Sequence, residues 1–178
     1  MSLWVFAYGS LIFRPSRYFG PPRAAVVHGY KRAFRQASTD HRGTPEFPGR
    51  VVTLLGDATS KTAGAVFEVA SPNVEAALIE LDERESGGYE RAHVSAHVYT
   101  CAEPVRALTW IAAPHNENHM PEVSLDELVN VVRRARGQSG ANRDYVLKLA
   151  EALRALGVFD QEVFALEQAL LAATKFPP

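Results

Sequence analysis

The sequence predicts an α+β fold: a small mixed sheet, curled or closed into a barrel, with one inserted helix and a helical C-terminal third. Three observations lead there. Runs rich in Val, Thr and aromatic residues recur through the first two thirds, one segment with helical periodicity interrupts them, and three sets of helix start and stop signals follow Pro121. The 178 residues suit a single domain spanning 1–178, and 47% hydrophobic with 22% charged residues sustains one sizeable core while excluding a disordered or collagen-like chain.

The first element, residues 3–8, is a nearly unbroken apolar and aromatic run that stops at Gly9-Ser10, as a strand buried on both faces would. Residues 24–36, 50–55, 63–70, 92–99 and 105–112 are the further strands, separated by Gly, Pro, Asp and Ser. Six strands in so short a chain favour a closed or strongly curled sheet. Residues 40–49 form a polar Pro/Gly loop, the kind of segment that carries binding groups on a rigid scaffold.

Ser71 as N-cap and Pro72 at the first helical position open a helix over residues 73–85, which Gly87-Gly88 ends. In the last third, Ser124-Leu125-Asp126-Glu127 reads as a capping box. Asn142 and Asp160 are further N-cap candidates, with stops at Gly137 and Gly157, so three helices are expected.

Charge and cysteine usage narrow the function classes. Nineteen Lys+Arg against 20 Asp+Glu leave a net charge of −1, which provides no field for a phosphate backbone and disfavours nucleic acid as a partner. The lone Cys101 precludes an internal disulfide, so a reducing, cytoplasmic setting is expected. The first residues lack a basic leader region, and no apolar run approaches the ~20 residues of a membrane span. Without a heptad or a sustained exposed apolar stripe, a monomer is the expected state.

The inserted helix carries the most informative residue. With Val74 as origin and about 100° per residue, Leu78 falls near 40°, Leu81 near −20° and Ala77 near −60°. Glu85 then falls at about 20°, inside the apolar stripe, while Glu83 lies near 180° and Ile79 departs from the pattern. A carboxyl on an apolar face loses hydration, which raises its pKa and suits it to proton transfer near neutral pH. The same position also accommodates a carboxylate that frays outward or pairs with Arg84 or Arg91, and the wheel alone does not separate these readings.

The turn Tyr8-Gly9-Ser10-Leu11-Ile12 is the second feature, because Gly permits close backbone approach and successive N–H groups can converge on an anion. It lacks the glycines of a nucleotide-binding loop. Ser10 has no nucleophile-elbow context, and Cys101 reads as a small residue after a strand. His93 and His97 share a strand face, whereas His115 and His119 lie in a loop, so no metal site is expected.

Three separated blocks closely resemble the ChaC family of glutathione-specific γ-glutamylcyclotransferases. They are Trp4-Val5-Phe6-Ala7-Tyr8-Gly9-Ser10-Leu11-Ile12, the stretch from Ser38-Thr39-Asp40-His41-Arg42-Gly43 to Pro48-Gly49-Arg50-Val51-Val52, and Leu81-Asp82-Glu83-Arg84-Glu85-Ser86-Gly87-Gly88-Tyr89. Ser139-Gly140-Ala141-Asn142-Arg143-Asp144-Tyr145 is a fourth, weaker block, and the similarity runs in order over residues 3–170. The resemblance implies a γ-glutamylcyclotransferase-like barrel that cleaves glutathione to 5-oxoproline and cysteinylglycine without a cofactor. It places the catalytic glutamate at Glu85, the substrate loop at Tyr8, Gly9, Ser10 and Leu11, and a helix-entry tyrosine at Tyr145. The sequence departs from the family pattern at Ala7, where glycine is usual, at Ser86, where lysine is common, and across residues 112–120.

The implied chemistry agrees with the residues. Attack of the substrate's own α-amine on its γ-carbonyl requires a base, oxyanion donors and a folded substrate, but no protein nucleophile. Glu85 is the expected base. Arg42 and Arg50 are candidates for a substrate carboxylate, with solvent-facing arginines as the alternative. A cyclotransferase for other γ-glutamyl amines or peptides, or a non-catalytic γ-glutamyl-binding protein, remains open at this point.

Overall fold

The computed structural model describes residues 2–175. The expected single domain over 1–178 thus includes residues 1 and 176–178, which lie outside the described ones. Among the described residues, five long strands close a barrel in the order β1 (Leu3–Ala7), β3 (Gly49–Val69), β2 (Arg23–Ser38), β4 (Tyr89–Val98), β5 (Val105–Ala112). β1 and β5 close it in parallel and the other pairs are antiparallel, so the sheet is mixed as expected. Closure removes exposed strand edges.

The barrel has one strand fewer than the six the sequence suggested. Residues 50–55 and 63–70 belong to a single strand of 21 residues, β3, paired along most of β2. The punctuation between them is a bulge: His28 pairs with Lys61 and Tyr30 with Gly56, leaving residues 57–60 opposite Gly29. Gly29 has φ +83°, and the Asp57 carboxylate ties the bulge together through Thr59 and Ser60. Polar turn residues here bend a continuous strand instead of ending it.

A four-residue helix, α1 (Ser10–Phe13), follows β1 directly. The inserted helix α2 (Val74–Arg84) is preceded by a 3₁₀ turn, Ser71–Asn73, so Ser71 and Pro72 stand ahead of the α-helix and Asn73 is its N-cap residue. Ala77 and Leu81 are fully buried and Ile79 is 56% exposed, which bears out the stripe. Gly88, at φ +94°, turns the chain into β4.

The last third contains α3 (Leu125–Arg134), α4 (Asn142–Ala155) and α5 (Gln161–Lys175), as expected. The Ser124–Glu127 capping box is formed, Asp160 caps α5 through the Val163 N–H at 3.0 Å, and Gly157 ends α4 at φ +70°. Asn142 does not cap. Its fully buried side chain donates to the Arg50 carbonyl at 2.9 Å and accepts from the Arg50 N–H at 2.7 Å, tying α4 to β3, and Ala141 takes the cap position. Between α3 and α4 lies an unexpected hairpin of β6 (Arg136–Gly137) and β7 (Gly140–Ala141). Gly137 is required there, because a Cβ would come within 2.3 Å of the Asp40 carbonyl.

Val5, Phe6, Leu54 and Phe67 are buried in the barrel, while Leu149, Leu153, Val163 and Leu166 are buried in the helical third. Arg32, also without solvent access, links the two parts by pairing with Asp160 and donating to the Tyr8 carbonyl at 2.8 Å. No helix among the described residues is long and apolar enough to cross a membrane.

Candidate active site

One end of the barrel opens into a cavity of about 240 Å³. Tyr8 and Gly9 reach it from the end of β1, Ser10 and Leu11 from α1, Arg42 from the loop after β2, Arg84 and Glu85 from the end of α2, Tyr89 from β4, and Tyr145 from α4. The buried apolar run of β1 thus delivers the Tyr8–Leu11 turn to the same place to which the apolar stripe of α2 delivers Glu85.

Glu85 is the C-cap residue of α2 (φ −99°, ψ 17°), one position beyond the helix proper. Its side chain is 16% exposed, and burial raises its pKa above the ordinary carboxylate value, with the Arg84 charge pulling the other way. That opposition is incomplete. The Arg84 guanidinium stays 3.9 Å from the carboxylate because it donates to the Arg14 carbonyl at 2.6 Å and to Ser10 Oγ at 3.1 Å. No other described group bonds the Glu85 carboxylate. Glu83, the neighbour on the exposed side, also lines the cavity.

Three phenols line the cavity with this carboxylate, Tyr8 and Tyr145 buried and Tyr89 partly buried. Burial holds Tyr8 and Tyr145 well above the ordinary tyrosine pKa, and the Glu85 charge adds to the rise at each. Tyr89 is raised by burial first, then by Tyr8, Tyr145 and Glu85. All three are therefore neutral hydroxyls at physiological pH. The Tyr8 hydroxyl donates to the Trp110 carbonyl at 2.7 Å and Tyr89 donates to the Val52 carbonyl at 2.8 Å. Tyr145 differs, since its oxygen accepts from the Val52 N–H at 3.3 Å and its own proton has no acceptor among the described residues.

Gly9 does not use a positive φ; it sits at φ −130°. Close approach is what favours glycine, because a Cβ would crowd Val52 Cγ2 at 3.1 Å and the Tyr145 oxygen at 3.3 Å. Ala7, the departure from the family pattern, is buried in the cavity wall, and Ser86 stands exposed at its edge.

The two arginine candidates separate. Arg42 lines the cavity, is 6% exposed, and lies over the Tyr145 ring at 5.9 Å with one nitrogen 3.2 Å from the Ala141 carbonyl. The β6–β7 hairpin fixes its loop through Gln138 N–H to Asp40 O and Ser139 N–H to His41 O, both 2.9 Å. Arg50 is not among the cavity-lining residues; one of its terminal nitrogens donates to the carbonyls of Phe34 and Pro121 at 3.3 and 3.0 Å, and its Nε is buried without a partner among the described residues.

Residues 113–120 do not line the cavity either. Instead this segment braces the chain after Glu85, with Asn116 bonded to Gln36, and with Gln36 Nε2 donating to the Gly87 carbonyl at 2.9 Å. Sequence reasoning missed Tyr89 as a cavity residue and treated Arg84 only as a possible partner of Glu85. Tyr89 shows no periodic signal. Arg84's position beside Glu85 was the available clue to its role. No three His, Cys, Asp or Glu side chains among the described residues gather as metal ligands would.

A small closed barrel with an under-compensated carboxylate among phenols at its mouth defines a protein of the γ-glutamylcyclotransferase fold. A solved γ-glutamyl cyclotransferase shares that fold at TM-score 0.60 and 16% identity, covering 94% of this chain and 87% of that one. The chain belongs to the ChaC-like protein family, whose model matches residues 3–173. It is 38% identical to the glutathione-specific gamma-glutamylcyclotransferase 1 of Danio rerio over 98% of this chain and 91% of that protein. The human protein of the same description is 36% identical, covering 88% of this chain and 72% of its own length. A solved yeast cyclotransferase specific to glutathione superposes at TM-score 0.90 with 26% identity, covering 96% of each chain.

Proposed function

We propose that this chain, acting as one domain, converts glutathione to 5-oxoproline and cysteinylglycine. The observation that carries the reading is Glu85: a carboxylate withdrawn from water, held off its arginine neighbour, and lining the cavity. The relatives described as glutathione-specific cyclotransferases support the choice of substrate.

In this mechanism Glu85 takes a proton from the substrate's α-ammonium group, and the freed amine attacks the γ-carbonyl carbon. A five-membered ring closes as the carbonyl becomes an oxyanion. The ring nitrogen then gives up a second proton, the carbon–nitrogen bond to the cysteinyl residue breaks, and both released protons end on the leaving amine. Atoms balance without water and without net proton release. A base with a raised pKa is suited to both halves, since it must take a proton and return it.

The other groups hold and orient. Main-chain N–H groups around Gly9 and Ser10, with Leu11 at the wall, are assigned to the γ-glutamyl end or the oxyanion, as is the unspent proton of Tyr145. Tyr8, already bonded to Trp110, shapes the pocket beside Glu85. Arg42 is assigned to a substrate carboxylate. No cofactor or metal is required by this chemistry. A cytoplasmic monomer is the setting the reading assumes, in keeping with a lone exposed Cys101.

The test is product analysis. With purified protein and glutathione, 5-oxoproline and cysteinylglycine should appear in equal amounts, undiminished by a strong chelator, while N-acetylated glutathione should give no 5-oxoproline. Release of glutamate in place of 5-oxoproline would reject cyclisation.

A further inference from the structure

Beyond the cavity mouth, an open groove of about 620 Å³ runs along α4 and shares Phe13, Arg14, Arg42 and Ser139 with the cavity. We propose that this groove is a subsite for the C-terminal carboxylate of the departing dipeptide, held by Arg14 and Lys148 together with Arg42. The inference rests on the cyclotransferase reading and adds what would select a γ-glutamyl dipeptide over a simple γ-glutamyl amine.

Helix geometry sets the placement. Tyr145 lies in the cavity, Lys148 is three residues on along the same face of α4, and Ala152 and Ala155 continue that face with small side chains. Residues three apart have Cβ atoms about 5–6 Å apart, and two extended peptide residues span about 7 Å, so a dipeptide leaving the cavity reaches the level of Lys148.

Charge gives the second argument. The Arg14 charge works against both Arg42 and Arg84, so three guanidinium groups share this mouth. None of Arg14, Arg42 and Lys148 forms an ion pair with a described residue. Among its described lining residues the groove has one carboxylate, Glu151, while Asp144 favours the charged form of Arg42 and the carboxylates of Asp40, Glu83 and Glu85 lie on the cavity side. Three cations against one carboxylate along the groove lining are a match for an anionic peptide end.

The experiment compares glutathione with its analogue in which the glycine carboxylate is a carboxamide. The unmodified protein should use the acid better by about tenfold in kcat/KM, mainly through KM, since a hydrogen bond to a charged group is worth about that ratio. The Arg14→Gln/Lys148→Gln double variant should lose about tenfold on the acid, bringing its rate near that of the amide. Lys61→Gln, an exposed charge outside the groove, should preserve the ratio. Equal kcat/KM for acid and amide in the unmodified protein, or an equal loss on both in the double variant, would overturn the subsite. If neither peptide gave 5-oxoproline, the cyclotransferase reading would fall by itself. Calorimetric titration of both peptides onto Glu85→Gln protein would still decide the groove: tighter binding of the acid supports it and equal binding rejects it.

Discussion

Glu85 at the barrel mouth and Glu167 in the helical third are both largely withdrawn from water, with side chains 16% and 9% exposed. Their surroundings differ. Arg154 grips both oxygens of Glu167, one of them at 2.8 Å, and that bond raises the arginine's own pKa. Arg84 comes no nearer than 3.9 Å to Glu85, through Nε, while its two terminal nitrogens are committed to the Arg14 carbonyl and Ser10 Oγ. Burial with a fitted partner makes an ion pair that pins α4 to α5. Burial with the partner turned aside leaves a carboxylate whose charge is costly, the property on which the proposed proton transfer rests.

The largest effect that would test this contrast is on catalysis. Glu85→Gln keeps size and hydrogen bonding but cannot accept the ammonium proton, so 5-oxoproline release should fall by about 10³-fold or more, with the thermal transition retained. Next in size, Glu167→Gln should lower stability by about 1–2 kcal/mol in denaturant titration, with little change in turnover, since Arg154 is half exposed and solvent screens part of the loss. An equal loss of activity in both variants would dissolve the distinction between the two regions.

A smaller effect concerns pH and stability. The folded protein binds the Glu85 proton more tightly than the unfolded chain, so this group favours folding below the ordinary carboxylate pKa. That contribution is lost as pH rises through the raised folded value. Glu85→Gln should therefore gain stability relative to the unmodified protein as pH goes from 4 to 7, measured by urea unfolding at each pH. The smallest effect is expected for Glu83→Gln, which sits exposed two residues away and should change turnover by less than about threefold.

The sequence exposed the parts of this design that depend on local pattern. The apolar run of β1, the α2 stripe, the Ser124 capping box and the Asp160 cap are each written within a few residues. Glu85 was visible as one carboxylate on an apolar stripe, although its side-by-side contest with Arg84 depends on Arg14 and Ser10, which arrive from another element. The strand bulge at residues 57–60 was hidden because bulge residues and turn residues are chemically alike. Arg50 and Asn142 misled for a shared reason: they read as a ligand group and a cap, while the fold uses both to bond buried main chain.

The central claim, that Glu85 is buried without a fitted partner and for that reason moves protons, is tested most directly by titrating its carboxyl carbon by NMR. Glutamate-labelled protein would be followed across pH, with Glu85→Gln identifying the signal, beside the pH dependence of kcat/KM for glutathione. The account predicts a Glu85 midpoint above the ordinary carboxylate value and an acid limb of kcat/KM with the same midpoint. A Glu85 midpoint at or below the ordinary value, or an acid limb that persists in Glu85→Gln, would contradict it.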